Sequence, residues 1–359
     1  MVRAMISPGW KGIAIASLLT IPAPAAPVHL TLEPGAGFDV DYAFNTGQAT
    51  TGRDDLSGHI LADLVLDDAD RPTTFFLTGG RIAHADSTVE ILLNTSFLGN
   101  TKVQTIVQGT ASLPQTQAGS GVVDPDTGII ANFGHRLITN EGTLTTRYLL
   151  GTTVLDQSTR NLATQPDNSP LVGTTTITPT LLAESGWWKR CHIEMVHYRD
   201  EGRSAPVSGV PGVPTGTTYL IYEEGGFTAI GEALFPGDDF TTWAQSTRGI
   251  LPRALDDRDP ASGQPLLVMY ALAAGPGPWQ VPVEFRTSTS EILLHLPATG
   301  LLAPVKWEFW SGNPSDSWQP LAGTPQPGGI TPFGSAGTTT VPLPPGTRGF
   351  VRASVPTPN

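Results

Sequence analysis

The sequence predicts an all-β protein: a large N-terminal β-sandwich or jelly-roll-like domain, a short two-helix linker and a small C-terminal β-sandwich. Three observations carry that prediction. Only 14% of the 359 residues are Asp, Glu, Lys or Arg, while 40 Gly and 33 Pro supply abundant turn formers. Short runs of alternating or β-branched residues recur between those turns, with Thr collected at Thr174-Thr175-Thr176 and Thr338-Thr339-Thr340. The length exceeds what one hydrophobic core usually fills, so two domains are expected.

Residues 1–25 read as a secretory signal peptide. Arg3 and Lys11 form a basic start, Gly12 to Ile21 a short apolar run, and Ala23-Pro24-Ala25 the small residues of a cleavage site. The apolar run is about half the length of a membrane span, and no later stretch reaches that length. The expected location is therefore secreted or at the cell surface after cleavage, with no transmembrane segment in the mature protein. The single cysteine, Cys191, cannot form an internal disulfide and reads as a structural thiol. Twenty basic against 32 acidic residues give a net charge of −12, which argues against nucleic acid as a partner.

Residues 26–235 form the first β domain. Val28 to Leu32 and Phe38 to Phe44 alternate, and Thr73 to Thr78 is expected to stop at Gly79-Gly80. Further strands are read at Ser57 to Leu66, Val89 to Leu93, Lys102 to Gln108, Gly142 to Leu150, Gly173 to Thr178, Lys189 to Tyr198, Thr217 to Tyr222 and Phe227 to Leu234. Strands at this spacing suit a sandwich or a barrel. Pro114 to Gly128, Asp156 to Pro170 and Glu201 to Gly216 read as loops. Residues 236–276 read as a helical linker: Asp238 can cap a helix with Phe240, Trp243, Ala244 and Thr247 on one face, stopped by Gly249, and a second helix runs from Pro265 to Ala274. Residues 277–359 return to strand patterns.

The C-terminal part carries a distinctive order of pieces. Phe240 and Trp243 are followed by the acidic turn Leu255 to Gly263 and by Pro265-Leu266-Leu267-Val268-Met269-Tyr270-Ala271. Val305-Lys306-Trp307-Glu308-Phe309-Trp310, Ser317-Trp318-Gln319-Pro320 and Arg348 to Val355 complete it. In this, residues from about 238 to 359 resemble the accessory β-sandwich module at the C-terminus of many exported proteins of environmental bacteria. The resemblance implies export and surface placement and names no activity. Family members often carry a calcium-loop-like acidic turn followed by a Glu. This chain has Asp257 and Asp259 in shifted spacing and Met269 at the Glu position. Leu77-Thr78-Gly79-Gly80 and Gly142-Thr143-Leu144 are loosely similar to exported proteins with a C-terminal sorting tail, although the sequence ends without the apolar span of such a tail.

No Gly-x-Ser-x-Gly, His-Glu-x-x-His or paired-cysteine motif occurs. The richest local segment is Trp187 to Asp200. On a strand His192 and Glu194 share one face, opposite to Ile193, Met195 and His197. With a third ligand from His59, His84 or His135 they would make a zinc site, and otherwise they are a surface pair. Trp187 and Trp188 could form a flat platform for a sugar ring or could pack into the core; Trp307, Trp310 and Trp318 are assigned to the C-terminal core. The sequence calls for no cofactor; zinc at His192 and Glu194, or calcium at Asp257 and Asp259, are the metals its residues could hold. The expected function is an exported, non-enzymatic surface, matrix or carbohydrate-contacting protein whose partner is a polysaccharide or cell-envelope component. The alternative is a secreted hydrolase or lyase acting on a polysaccharide or ester, with its site on the N-terminal domain.

Overall fold

The computed structural model describes residues 26–45, 49–67, 69–95, 99–113, 121–131, 136–170, 172–206, 215–279, 282–286, 289–312, 315–343 and 349–358. The expected signal peptide and His135 lie outside these residues. The all-β class holds.

The N-terminal strands are β1 (Ala26–Leu32), β2 (Gly37–Phe44), β3 (Ala49–Leu66), β4 (Pro72–Thr95), β5 (Gly99–Ser112), β6 (Arg136–Leu150), β7 (Thr153–Asn161), β8 (Asp167–Pro170), β9 (Thr174–Ser185), β10 (Trp188–Pro206) and β11 (Thr218–Pro236). Among the described residues they form one sheet in the order β7-β6-β5-β4-β3-β1-β11-β10-β9, with β2 also between β11 and β3 and β8 beside β6. Two walls, β3 with β4 and β9 with β10 and β11, face each other and are joined through β1. The opposite side is closed by a hairpin at residues 121–131. Its Val122 bridges Thr74 of β4, its Ile129 bridges Thr176 of β9, and Val123 pairs with Ile130 within it. The Phe75 amide donates to the Gly121 carbonyl at 2.8 Å and the Ile177 amide to the Gly128 carbonyl at 2.8 Å. Leu30, Ile60, Phe75, Ile82, Ile177, Ile193 and Met195 fill the space enclosed, none more than 1% exposed.

Several strands run past the expected stops. Gly79 and Gly80 lie inside the 24-residue β4, not at its end. A Cβ on Gly80 would sit 2.8 Å from the His59 carbonyl of β3, so glycine there lets two backbones meet where the register shifts. The expected loop at Asp156 to Pro170 begins instead as β7. Its polarity on both faces has a physical reason: β7 leaves the core and is exposed along nearly its whole length. The expected loop after Glu201 starts as the end of β10, which pairs with β11 as far as Pro206.

The C-terminal unit contains α1 (Asp238–Arg248), α2 (Leu266–Ala271), β12 (Val283–Arg286), β13 (Glu291–Leu296), β14 (Val305–Trp310), β15 (Gln319–Pro320), β16 (Ile330–Thr331), β17 (Gly337–Pro342) and β18 (Phe350–Ser354). Asp238 is the first helical residue, and the N-cap position is Gly237, with no side-chain cap bond. Gly249 ends α1 in the left-handed conformation, φ 69°. One sheet runs β12-β13-β17; β14 pairs with β15, β16 and β18 in the other. Segment 236–276 is not a linker in the sense expected: Phe240 and Ala244 of α1 and every residue of α2 except Met269 are buried with Leu294, Val305, Trp307 and Val341 in one core. Apolar helix faces with no partner of their own are covered by the sheets they adjoin.

Candidate functional site

Alternation along β10 divides the segment that the sequence singles out. Cys191, Ile193, Met195, His197 and Arg199 point into the core and are buried. His192 is half-buried and Glu194 exposed on the outer face, opposite Glu232 and Ile230 of β11. His59 stands on β3, with β11 and β1 between it and β10, roughly 14 Å away at ordinary strand spacing. It packs edge-on against His29, ring centroids 5.1 Å apart, a partner the sequence reading did not single out. His84 is committed elsewhere: Nδ1 lies 3.0 Å from both Asp54 carboxylate oxygens and Nε2 3.2 Å from Thr139 Oγ1. Carboxylate, imidazole and hydroxyl follow each other in the order that activates a nucleophile, yet Thr139 is 4% exposed and enclosed by protein. Of the two candidate partners within the described residues, neither His59 nor His84 converges on His192. Among the described residues no group of three or more His, Cys, Asp or Glu is gathered to hold a metal ion.

The inner face of β10 holds the polar groups that alternation alone could not rank. Thr175 Oγ1 and His197 Nδ1 are 2.8 Å apart, and the imidazole stacks on Phe227 with centroids at 5.2 Å. Burial, with the Arg199 charge adding to it, pushes the His197 pKa down to about 4. Arg199 in turn pairs with Glu223 at 2.6 Å and Glu201 at 3.3 Å. Cys191 is fully buried, and burial raises its thiol pKa to about 11.

Trp187 and Trp188 meet at 71° with centroids 6.3 Å apart, which is an edge contact rather than a flat platform. Trp187 packs against the C-terminal core, and the Arg190 guanidinium lies 5.8 Å from the Trp188 ring centre. The next residue, Lys189, is buried at the junction of the two units and reaches Asp70 and Asp238, each at 2.8 Å. Asp70 adopts φ 58° to present its carboxylate. A cavity of about 290 Å³ adjoins this clamp, lined also by Thr73, Thr241 and Arg253.

The acidic turn spends its carboxylates on its own backbone. Asp257 Oδ2 accepts from the Arg253 amide at 2.7 Å and the Ala254 amide at 3.3 Å. Asp259 Oδ2 accepts from the Ser262 amide at 2.9 Å and the Ser262 hydroxyl at 2.5 Å. Burial raises the Asp257 pKa, while the Ser262 hydroxyl holds that of Asp259 below the ordinary value.

A half-buried aromatic group with one exposed ring stands on the outer face of the C-terminal unit, where the sequence reading placed core. Only Trp307 is core, at 1% exposure. Trp310 is half-buried, directly opposite Phe350 across the β14–β18 pair, and Phe350 is 59% exposed. Their rings stack at 25° with centroids 5.5 Å apart; Trp318 lies 5.9 Å from Trp310 on the strap leading to β15. Polar groups fix this arrangement. Trp310 Nε1 donates to the Asp316 carbonyl at 3.1 Å, and Arg352 lies 4.4 Å from the Trp318 ring centre. Glu308 holds Arg352 at 2.7 Å and Lys306 at 2.9 Å; the Lys306 bond foremost, with that from Arg352, keeps the Glu308 pKa below the ordinary carboxylate value. The two-residue period of β14 assigns Trp310 to the face opposite Trp307 only if the odd and even positions are counted to the strand end. That count was the signal available in the sequence. Comparison of the chain with protein-family models and with curated proteins returns no match.

Proposed function

We propose that this is an exported, non-enzymatic surface or matrix protein that contacts polysaccharide through the outer aromatic face of its C-terminal unit. The observation that carries the reading is the stack of Trp310 and Phe350 beside Trp318, with Phe350 more than half exposed. Large aromatics normally disappear into a core, and a cluster of them left partly open to solvent, with Phe350 the most exposed, is suited to a contact surface. Their faces suit the apolar C–H face of a pyranose ring, while Arg352 and the exposed Asp316 and Gln319 stand close by to meet hydroxyl groups. Export rests on residues 1–25 and on the family resemblance of the C-terminal module.

The test is retention of the purified protein on suspended cellulose, chitin and xylan, compared with Phe350→Ala. Loss of one stacked ring should weaken binding by about 1.5 kcal/mol, roughly tenfold in Kd. Retention on none of these polymers, or equal retention of the variant, would overturn the reading. Turnover of any of them, abolished by a single substitution, would instead establish the hydrolase or lyase alternative.

A further inference from the structure

We infer that the cavity at the junction of the two units, beside the Lys189 clamp, binds a single neutral sugar ring. It lies apart from the aromatic face of β14 and β18 and does not rest on the reading given to that face. Its volume of about 290 Å³ is at the lower end for small-molecule pockets and suits one pyranose rather than a length of chain. The charges on its wall nearly balance, and this selects the class of ligand. Three carboxylates, Asp67, Asp70 and Asp238, face two cations, Lys189 and Arg253, and Asp67 is already paired with Arg71 at 2.8 Å. A charged ligand therefore gains little net attraction, whereas hydroxyl groups, which both donate and accept, find partners of both kinds.

The groups that would meet those hydroxyls have capacity left over from the fold. The Arg253 amide donates to Asp257 Oδ2 at 2.7 Å, but its half-buried guanidinium makes no hydrogen bond or ion pair among the described residues, and its charge reaches Asp257 only through space. Thr241 on α1 is half-buried, and its hydroxyl is unbonded among the same residues. The Lys189 ammonium carries three hydrogens, of which Asp70 Oδ1 and Asp238 Oδ1 take two; Oδ2 of each carboxylate stays open. Leu66, Phe235 and Leu251 supply apolar wall for the C–H face of a ring. The polar wall is also fixed in advance. Asp67 Oδ1 accepts from the Ala69 and Arg71 amides, each at 2.9 Å, and Oδ2 from the Arg71 guanidinium, which closes the turn that presents Asp70 at φ 58°. That backbone region is uncommon for a residue with a side chain, and groups held in this way lose little freedom when a ligand arrives. One ring in a site of this kind gives a Kd on the order of a millimolar.

The experiment is a ligand-observed NMR titration of the purified protein at pH 7.5 with glucose, galactose, mannose, xylose and N-acetylglucosamine to about 20 mM, each also as its methyl glycoside, and with glucuronate as the charged control. At least one neutral sugar should bind, and more tightly than glucuronate. Arg253→Ala and Thr241→Val should each raise its Kd at least fivefold, with circular dichroism to confirm the fold. Phe350→Ala should leave the Kd unchanged, which separates this cavity from the aromatic face. Binding of a methyl glycoside as well as the free sugar would support the proposal with a chain end as ligand; binding of the free sugar alone would support it with a monosaccharide. Binding of no neutral sugar, tighter binding of glucuronate than of every neutral sugar, or a Kd that Phe350→Ala raises would overturn it. So would a Kd unmoved in folded Arg253→Ala; if that variant does not fold, Thr241→Val decides on the same criterion.

Discussion

Acid should weaken this fold through one histidine. His197 is 1% exposed and its pKa lies at about 4 instead of 6.5. The folded protein thus refuses a proton that the unfolded chain accepts. Its contribution is complete above the unfolded pKa of 6.5 and is lost as pH falls, until both states carry the proton below about 4. With 1.36 kcal/mol per pKa unit, the loss is about 2 kcal/mol by pH 5 and about 3 kcal/mol by pH 4. The groups around the ring are Thr175 on β9, Arg199 on its own strand, and Glu223 and Glu201, which hold Arg199. Carboxylates titrate over the lower part of the same range, so the comparison must be made against a variant. His197→Gln keeps a polar partner for Thr175 and cannot be protonated. Urea unfolding at pH 7.5, 6 and 5, followed by circular dichroism, should show wild type losing about 2 kcal/mol more than the variant between pH 7.5 and 5. Equal losses in the two proteins would refute the assignment of the acid sensitivity to His197.

Three further outcomes are expected. Lys189→Met removes the ammonium group shared by Asp70 and Asp238 and should cost about 2–3 kcal/mol in urea unfolding, below the full buried-pair penalty because Asp238 is mostly exposed. Burial pulls the Lys189 pKa down, but the bonds from Asp238 and Asp70 outweigh it and leave it above 10.5, so this contribution is present at neutral pH and is lost only as pH rises through that raised value. Cys191, its pKa raised to about 11, should leave a disulfide reagent such as Ellman's unreacted in the folded protein at pH 8 and react with one equivalent in denaturant. The double variant His192→Ala, Glu194→Ala acts on the outer face of β10 and should change stability by no more than about 0.5 kcal/mol in the same urea titration.

Strand content was legible because low charge, frequent turn residues and β-branched runs all act locally. Strand length was not. Gly79 and Gly80 carry the signature of a turn, and only the approach of β3 reveals that they sit within β4. In the same way β7, polar on both faces from Asp156 onward, has no alternation to read there, because neither face is buried. At the site level, alternation alone separated His192 and Glu194 from His197. It could not show that His84 faces Asp54 and Thr139, because those contacts join residues 30 and 55 positions apart. The aromatic face was obscured for a related reason: Trp307 and Trp310 look alike in sequence, and their opposite fates follow from a single step of strand parity and from Phe350 arriving on β18.

The pairing of β1 with both β3 and β11 bears on the order in which the protein takes shape. Thr31 meets His59 on one side and Ile230 on the other, so β1 waits about two hundred residues of synthesis for its second neighbour. Until β11 is present, β1 is an apolar strand with one bare edge, and Val28 and Leu30 have only half a core to enter. Contacts between such distant parts of a chain form slowly because the intervening loop must close first. The core of the N-terminal unit is therefore completed only once β11 has been made and has closed onto β1.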